Sequence, residues 1–535
     1  MRKLAAATLM AMTMGSFTSY VGGVAFAVGP GGATATGGSA GGDLSQQNVA
    51  QEGRQNSACD LSTAGDISLD PGQLRGRCVN GDGSYNEFTR VRYKGARAVG
   101  GDGVTSVEQQ NIAQKGRQNN ACADSIDFTL EVTGGLVGDE CSNKDHSRNK
   151  YTLFQSGGAD AVGASGLDGP FQNNIAQEGR QNNACATNND ADFDLTGGRT
   201  TSRCDNGDGS DNERVLTKGG GAHVKSGSGT GFEEENIAQE GRQNNACDSG
   251  VFFLPDLEGG RLASECVNRD HSSSKDVLVR GGGSRVRGGD GAEFQQNIAQ
   301  EGRQNNACDN SLFPEPPDAG DARVDSRCAN VDGSRTKDAV IKGRGTRVDG
   351  GSSAASLIQQ NIGQEGRQNN ACNNVNMVDV TDLTLSGGSA EFRCATVDRS
   401  ENEGTKEIGG GARIHGGSAV ADANQQNIAQ EGRQNNACGN HNALDGVSLT
   451  DTRVRSSCAT VDDSVNKGTT RIGGGARVEG GSSLAGLFQQ NIAQEGRQNN
   501  ACGNSNDLSL TATDARIDSQ CLAVDRSVNI GSQES

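Results

Sequence analysis

Apolar and polar residues alternate along this chain in short runs, and glycines break the runs. Ala412-Arg-Ile-His415 and Thr452-Arg-Val-Arg455 read with a period of two, the spacing of a half-buried β-strand. No segment keeps an apolar stripe at helical spacing between capping residues, so the pattern predicts strands and turns throughout. The pattern also recurs. The phrase Gln114-Lys-Gly-Arg-Gln-Asn-Asn-Ala-Cys122 occurs eight times, with its cysteine at Cys59, Cys122, Cys185, Cys247, Cys308, Cys372, Cys438 and Cys502, at intervals of 61 to 66 residues.

A second cysteine follows each of these by 19 to 22 residues, at Cys78, Cys141, Cys204, Cys266, Cys328, Cys394, Cys458 and Cys521. Each opens a Cys-x-x-x-Asp-x-Ser motif, from Cys78/Asp82/Ser84 to Cys521/Asp525/Ser527. A glycine-rich piece precedes each phrase, as in Gly409 to Gly417 and Gly473 to Gly481. The segment between the paired cysteines varies most and holds Pro255, Pro314, Pro316 and Pro317, as a surface loop would. Repeats of this kind predict an all-β array of eight units of about 63 residues, a β-solenoid or stacked β-repeat, with an eight-bladed propeller-like ring as the alternative. Eight copies fill residues 28–535 and leave no stretch for a separate catalytic domain.

Composition explains what must replace an ordinary core. Of 535 residues 80 are Gly, 18 are aromatic and none is Trp, and the apolar class is only 32%. Backbone ladders, polar ladders and crosslinks have to supply the cohesion that Leu, Ile and Phe do not. The net charge of −18 makes nucleic acid an improbable partner and provides no polybasic patch for a lipid surface.

The repeated phrase supplies such ladders. In Asn297-Ile298-Ala299-Gln300-Glu301-Gly302-Arg303-Gln304-Asn305-Asn306-Ala307, strict alternation places Ile, Gln and Asn on one face around a glycine that permits a turn. Buried amides cost several kcal/mol unless paired, and identical amides stacked at about 4.8 Å pair with one another. The expected ladder positions are Gln114, Gly116 and Asn119; Gln177, Gly179 and Asn182; Gln239, Gly241 and Asn244; and Gln300, Gly302 and Asn305.

Gln300-x-Gly302-x-x-Asn305-x-Ala307, which recurs at Gln51/Gly53/Asn56/Ala58 and in the other copies, resembles half of the curlin repeat of curli-type fibre subunits. The resemblance implies a stacked β-strand subunit that polymerises outside the cell as fibre or matrix. It covers about a dozen residues of each unit. The curlin repeat is about a third as long, has no cysteine pair, and continues to a second Gln where cysteine-containing loops stand here.

Two cysteines per unit read as eight disulfides, most simply within units (Cys59–Cys78 through Cys502–Cys521), with pairing between neighbouring units, such as Cys78 with Cys122, also open. The five histidines share no repeat position and no Cys-x-x-Cys occurs, so neither a metal nor a cofactor is expected. The Asp-x-Ser motif lacks the rest of a calcium loop and reads as a turn. No Ser/His/Asp or Cys/His set recurs, so no catalysis is expected.

Arg2 and Lys3, an apolar stretch from Leu4 to Met14 and the small-residue site Ala25-Phe26-Ala27 form the pattern of a secretory leader over residues 1–27. No later segment is apolar enough to span a bilayer. The chain therefore reads as a secreted or cell-surface structural protein that self-associates. The alternative is a monomeric rod-like adhesin whose variable loops recognise a glycan or a surface protein.

Overall fold

The computed structural model describes residues 21–28 and 33–36. Between 44 and 534 it describes all but short stretches such as 100–106, 164–170 and the two residues between the paired strands of each phrase. Among the described residues there is no helix, and the strands form five sheets in which neighbours pair in parallel. The sixth unit shows the path of one coil. Leu357–Glu365 lies in sheet I, Gln368–Asp379 and Thr384–Ser386 in sheet II, and Ser389–Asp398 in sheet III. Glu401–Glu403 and Lys406–Ile408 follow in sheet IV, and Ala412–His415 in sheet V. The chain then returns to sheet I, so one repeat is one coil. Sheets III and V hold eight strands each, one per coil.

Register follows the repeat. Cys394 pairs with Cys458, Asn361 with Asn427 and Arg413 with Arg477, each residue opposite its counterpart one unit on. Differences in repeat length are absorbed in the variable segment, as at the shift between Asp445 and Val447. This parallel stack along one axis excludes the propeller-like ring, whose blades are antiparallel sheets arranged radially.

The coil is layered. Sheet I lies between sheets V and II, and sheet III covers the other face of sheet II. Between V and I the core is Ala50, Ala113 and Ala299 against Val224, Val286, Val348 and Ile414. Between I and II, Ile112, Ile175 and Ile298 pack on Ala121, Ala184 and Ala307. Between II and III the cysteines fill the interface. Small side chains on facing strands let the layers approach closely, and among the described residues Phe392 is the largest fully buried side chain. Strand by strand the burial alternates, as in Arg453–Asp462.

Val21–Val28, which contains the end of the expected leader, pairs in parallel with Leu44–Gln51; residues 1–20 lie outside the described residues. No helix among the described residues is long and apolar enough to cross a membrane.

Candidate functional site

The repeated phrase is a strand, a break and a second strand in a different sheet. Asn297, Ala299 and Glu301 face sheet V, whereas Ile298 and Gln300 face sheet II. The break after Glu301 puts Gln304–Pro314 in sheet II, where Asn305 and Ala307 turn back towards sheet I. Gln300 and Asn305 thus share one buried interface from facing strands rather than one face of one strand. The chain changes sheets between them, which strict alternation along a single strand does not capture.

Amide columns run through this interface along the whole stack. Gln51 donates Nε2–H to Gln114 Oε1 at 2.8 Å, Gln114 to Gln177 at 2.9 Å, and Gln177 to Gln239 and Gln239 to Gln300 at 2.8 Å. The column continues through Gln364 and Gln430 to Gln494. On the facing strand, Asn244 donates to Asn182, Asn305 to Asn244 and Asn369 to Asn305, each at 2.9 Å. The Gln column donates towards the C-terminal end and this Asn column towards the N-terminal end, so their dipoles oppose. In the later coils the second N–H of these amides is used as well. Asn369 also donates to Glu301 O at 2.9 Å, and Gln364 to Asn370 O at 3.1 Å. Every coil boundary is therefore held by buried amides whose donors are spent on the next coil and on strand-end carbonyls. Gly116, Gly179, Gly241 and Gly302, and the side chain of Asn119, lie outside the described residues.

Further columns escape a reading of the phrase alone. Asn48, Asn111, Asn174 and their counterparts to Asn491 form a third, with bonds of 2.8 to 3.1 Å. Asn80, Asn143, Asn206, Asn268 and Asn330 form a fourth in sheet III, and Thr396 and Thr460 succeed them in register. Their signal was an Asn two residues after the second cysteine in five units. Buried Glu301, Glu365 and Glu431 accept backbone N–H groups of the glycine-rich corner, at Gly345, Gly410 and Gly474 respectively. That corner needs glycine: Gly411 has φ +95°, and a Cβ there would lie 2.8 Å from Gly475 O in the adjacent coil.

The cysteines form two facing columns. Cys185–Cys204, Cys247–Cys266, Cys438–Cys458 and Cys502–Cys521 close within units. Cys328–Cys372 instead joins the fifth and sixth units, and Cys308 and Cys394 are buried outside the disulfides. One disulfide per unit therefore does not hold for units five and six. The cause is geometric. The sulfurs of Cys308, Cys328 and Cys372 all lie within 4.8 Å of one another, so a sulfur in one column faces two mates in the other. Cys141 is disulfide-bonded; the side chains of Cys59, Cys78 and Cys122 lie outside the described residues.

The Asp-x-Ser motif builds the corner from sheet III to sheet IV. Asp145, Asp208, Asp270, Asp332, Asp398 and Asp462 are buried, and each accepts the N–H of the serine two residues on at 2.7 or 2.8 Å. Burial, reinforced by the carboxyls of Asp270 and Asp145, pushes Asp208 well above the ordinary carboxylate range. Asp398 is raised in the same way by burial, Asp462 and Asp332, and burial lifts Asp462 to about 6.

The arrangement is one of cohesion between identical layers: amides, sulfurs and carboxyls stacked on their own copies. Comparison of the chain with protein-family models, with curated proteins and with solved structures found no match in any of the three.

Proposed function

We propose that this chain is an extracellular structural subunit that adds end to end into a fibre or matrix, with no catalytic role. The observation that carries the reading is the self-complementarity of the coil. Each coil presents to the next the same strands, in register, with the same amide columns. The surface that binds coil seven to coil eight is therefore the kind of surface that binds one copy to another. The eighth coil carries these columns at its exposed face: Asn491 is exposed where Asn427 is buried, and Asp525 where Asp462 is buried. Leu522, Val528 and Ile530 are exposed there, as Val79 and Tyr85 are in the first coil.

The resemblance to the curlin repeat supports the same reading, since its Gln and Asn are the residues that stack here. Export through the leader at residues 1–27 would place the chain where its disulfides form and persist. Residues 25–28 pair with Asn48–Gln51 and set Ala25 opposite Asn48, whose buried Oδ1 has no hydrogen-bond partner. Cleavage after Ala27 would uncover that end of the Asn48 column.

Sedimentation velocity and electron microscopy of the oxidised chain from residue 28 test the reading. The expected result is concentration-dependent growth of unbranched filaments of constant width. A chain that stays monomeric at every attainable concentration would overturn it.

A further inference from the structure

Stacked side chains on the outer faces of sheets III and IV include many opposite-charge pairs. On the outside of sheet III, Arg77 meets Glu140 and Arg203 meets Glu265, which Arg327 also contacts. In sheet IV, Lys150 lies against Glu213, Arg335 against Glu401 and Lys337 against Glu403. Opposite charges on adjacent strands stabilise a sheet, and like charges directly opposite one another destabilise it.

The outer face of sheet V carries the longest cationic run among the described residues, beside three-residue runs at Arg199, Arg261 and Arg323 in sheet III and at Lys218, Arg280 and Lys342 in sheet IV. Arg285, Arg347, Arg413 and Arg477 stand opposite one another in consecutive coils, all exposed. At a strand spacing of about 4.8 Å they form a cationic line about 14 Å long. Lys225 and Arg287 extend the basic surface in the neighbouring column. Among the described residues, Asp349, which contacts Arg285 and Arg347, and Glu479, beside Arg477, counter it. In a chain of net charge −18 such a line is not a by-product of composition.

We propose that the outer face of sheet V binds a linear carboxylated polysaccharide, laid along the stack so that successive carboxylates meet successive arginines. The guanidinium fork matches a carboxylate with two parallel hydrogen bonds, and a line of forks at a fixed interval selects a chain that carries acid groups at regular intervals. Nucleic acid fits less well. Its phosphates recur at about 3.4 Å per strand in a duplex. A single strand would require aromatic platforms, and none of the outward residues of sheet V is Phe, Tyr or Trp. The site lies on a flat face of the rod, apart from the variable loops, and does not depend on end-to-end assembly.

The test is binding of polygalacturonate to the oxidised chain. Dextran serves as the neutral control and an oligonucleotide of equal charge as the competing polyanion. Binding is expected to weaken with salt and to fall at least tenfold in R347Q/R413Q, while R327Q on sheet III stays within twofold of the parent. The urea midpoint of R347Q/R413Q is expected to be no lower than that of the parent. Equal binding by parent and R347Q/R413Q, tighter binding of the oligonucleotide, no binding of polygalacturonate, or a lowered midpoint would each overturn the proposal.

Discussion

Asn369 shows what one buried amide does in this molecule. It donates to Asn305 Oδ1 and to Glu301 O and accepts from Asn435 Nδ2. Asn369→Ala leaves those groups buried and unpaired, at about 1–3 kcal/mol for each one stranded. A loss of about 3 kcal/mol in urea unfolding is therefore expected. Asn491→Ala removes the bond accepted from Asn427, at an exposed position of the last coil where water can replace the lost acceptor, and should cost about 1 kcal/mol or less. Equal losses at the two positions would show that the columns are not the source of cohesion. Gly411 makes a separate point about backbone. Its φ of +95° and its approach to Gly475 O disfavour any side chain, so Gly411→Ala should cost about 1–3 kcal/mol by the same measurement. The Gln and Asn positions of the phrase were legible in the sequence because identical residues recurred in all units. Glu301 was not. Nothing in a run of glutamates shows that one caps a corner formed more than forty residues later.

At the scale of the element, alternation in short runs marked the strands, and the repeat marked their register. Gly302 was read as permitting a turn, but the alternation on either side of it did not show that the chain changes sheets between Gln300 and Asn305. The sulfur pairing could not be read either. Two facing columns offer each cysteine two mates, and sequence separation does not choose between them. Non-reducing proteolysis with mass spectrometry should recover a peptide crosslinked through Cys328 and Cys372 beside the within-unit pairs. A map with Cys308–Cys328 and Cys372–Cys394 would contradict it. Reduction should leave the far-ultraviolet signature of the sheets in place, since the amide columns cross each coil boundary without the sulfurs. It should still lower resistance to urea, because each loop of about 20 residues contributes on the order of 3 kcal/mol when closed.

For the whole molecule, the stacked acids make stability depend on pH. Asp462 titrates at about 6 in the folded chain and at its ordinary 3.8 when unfolded, and Asp208 and Asp398 are raised for the same reasons. Between those values the folded chain holds more protons than the unfolded one. Stability is thus fullest below about pH 4, falls as the pH rises towards 6, and no longer changes through Asp462 above that. Asp349 and Glu391, held down largely by neighbouring arginines, act in the opposite sense, but at the surface, where screening makes such pairs weak. The urea midpoint should accordingly be higher at pH 4 than at pH 7; the reverse order would contradict a buried carboxyl column.

The central claim is that each repeat is one coil and that copies add along the coil axis. Eight coils at about 4.8 Å give an axial advance of about 38 Å per subunit. Fibre diffraction or cryo-electron microscopy of assembled filaments measures both spacings at once. The account predicts a 4.8 Å meridional reflection together with a longer axial repeat near 38 Å. Filaments whose strands run along the axis, or whose subunit advance is unrelated to eight strand spacings, would contradict it.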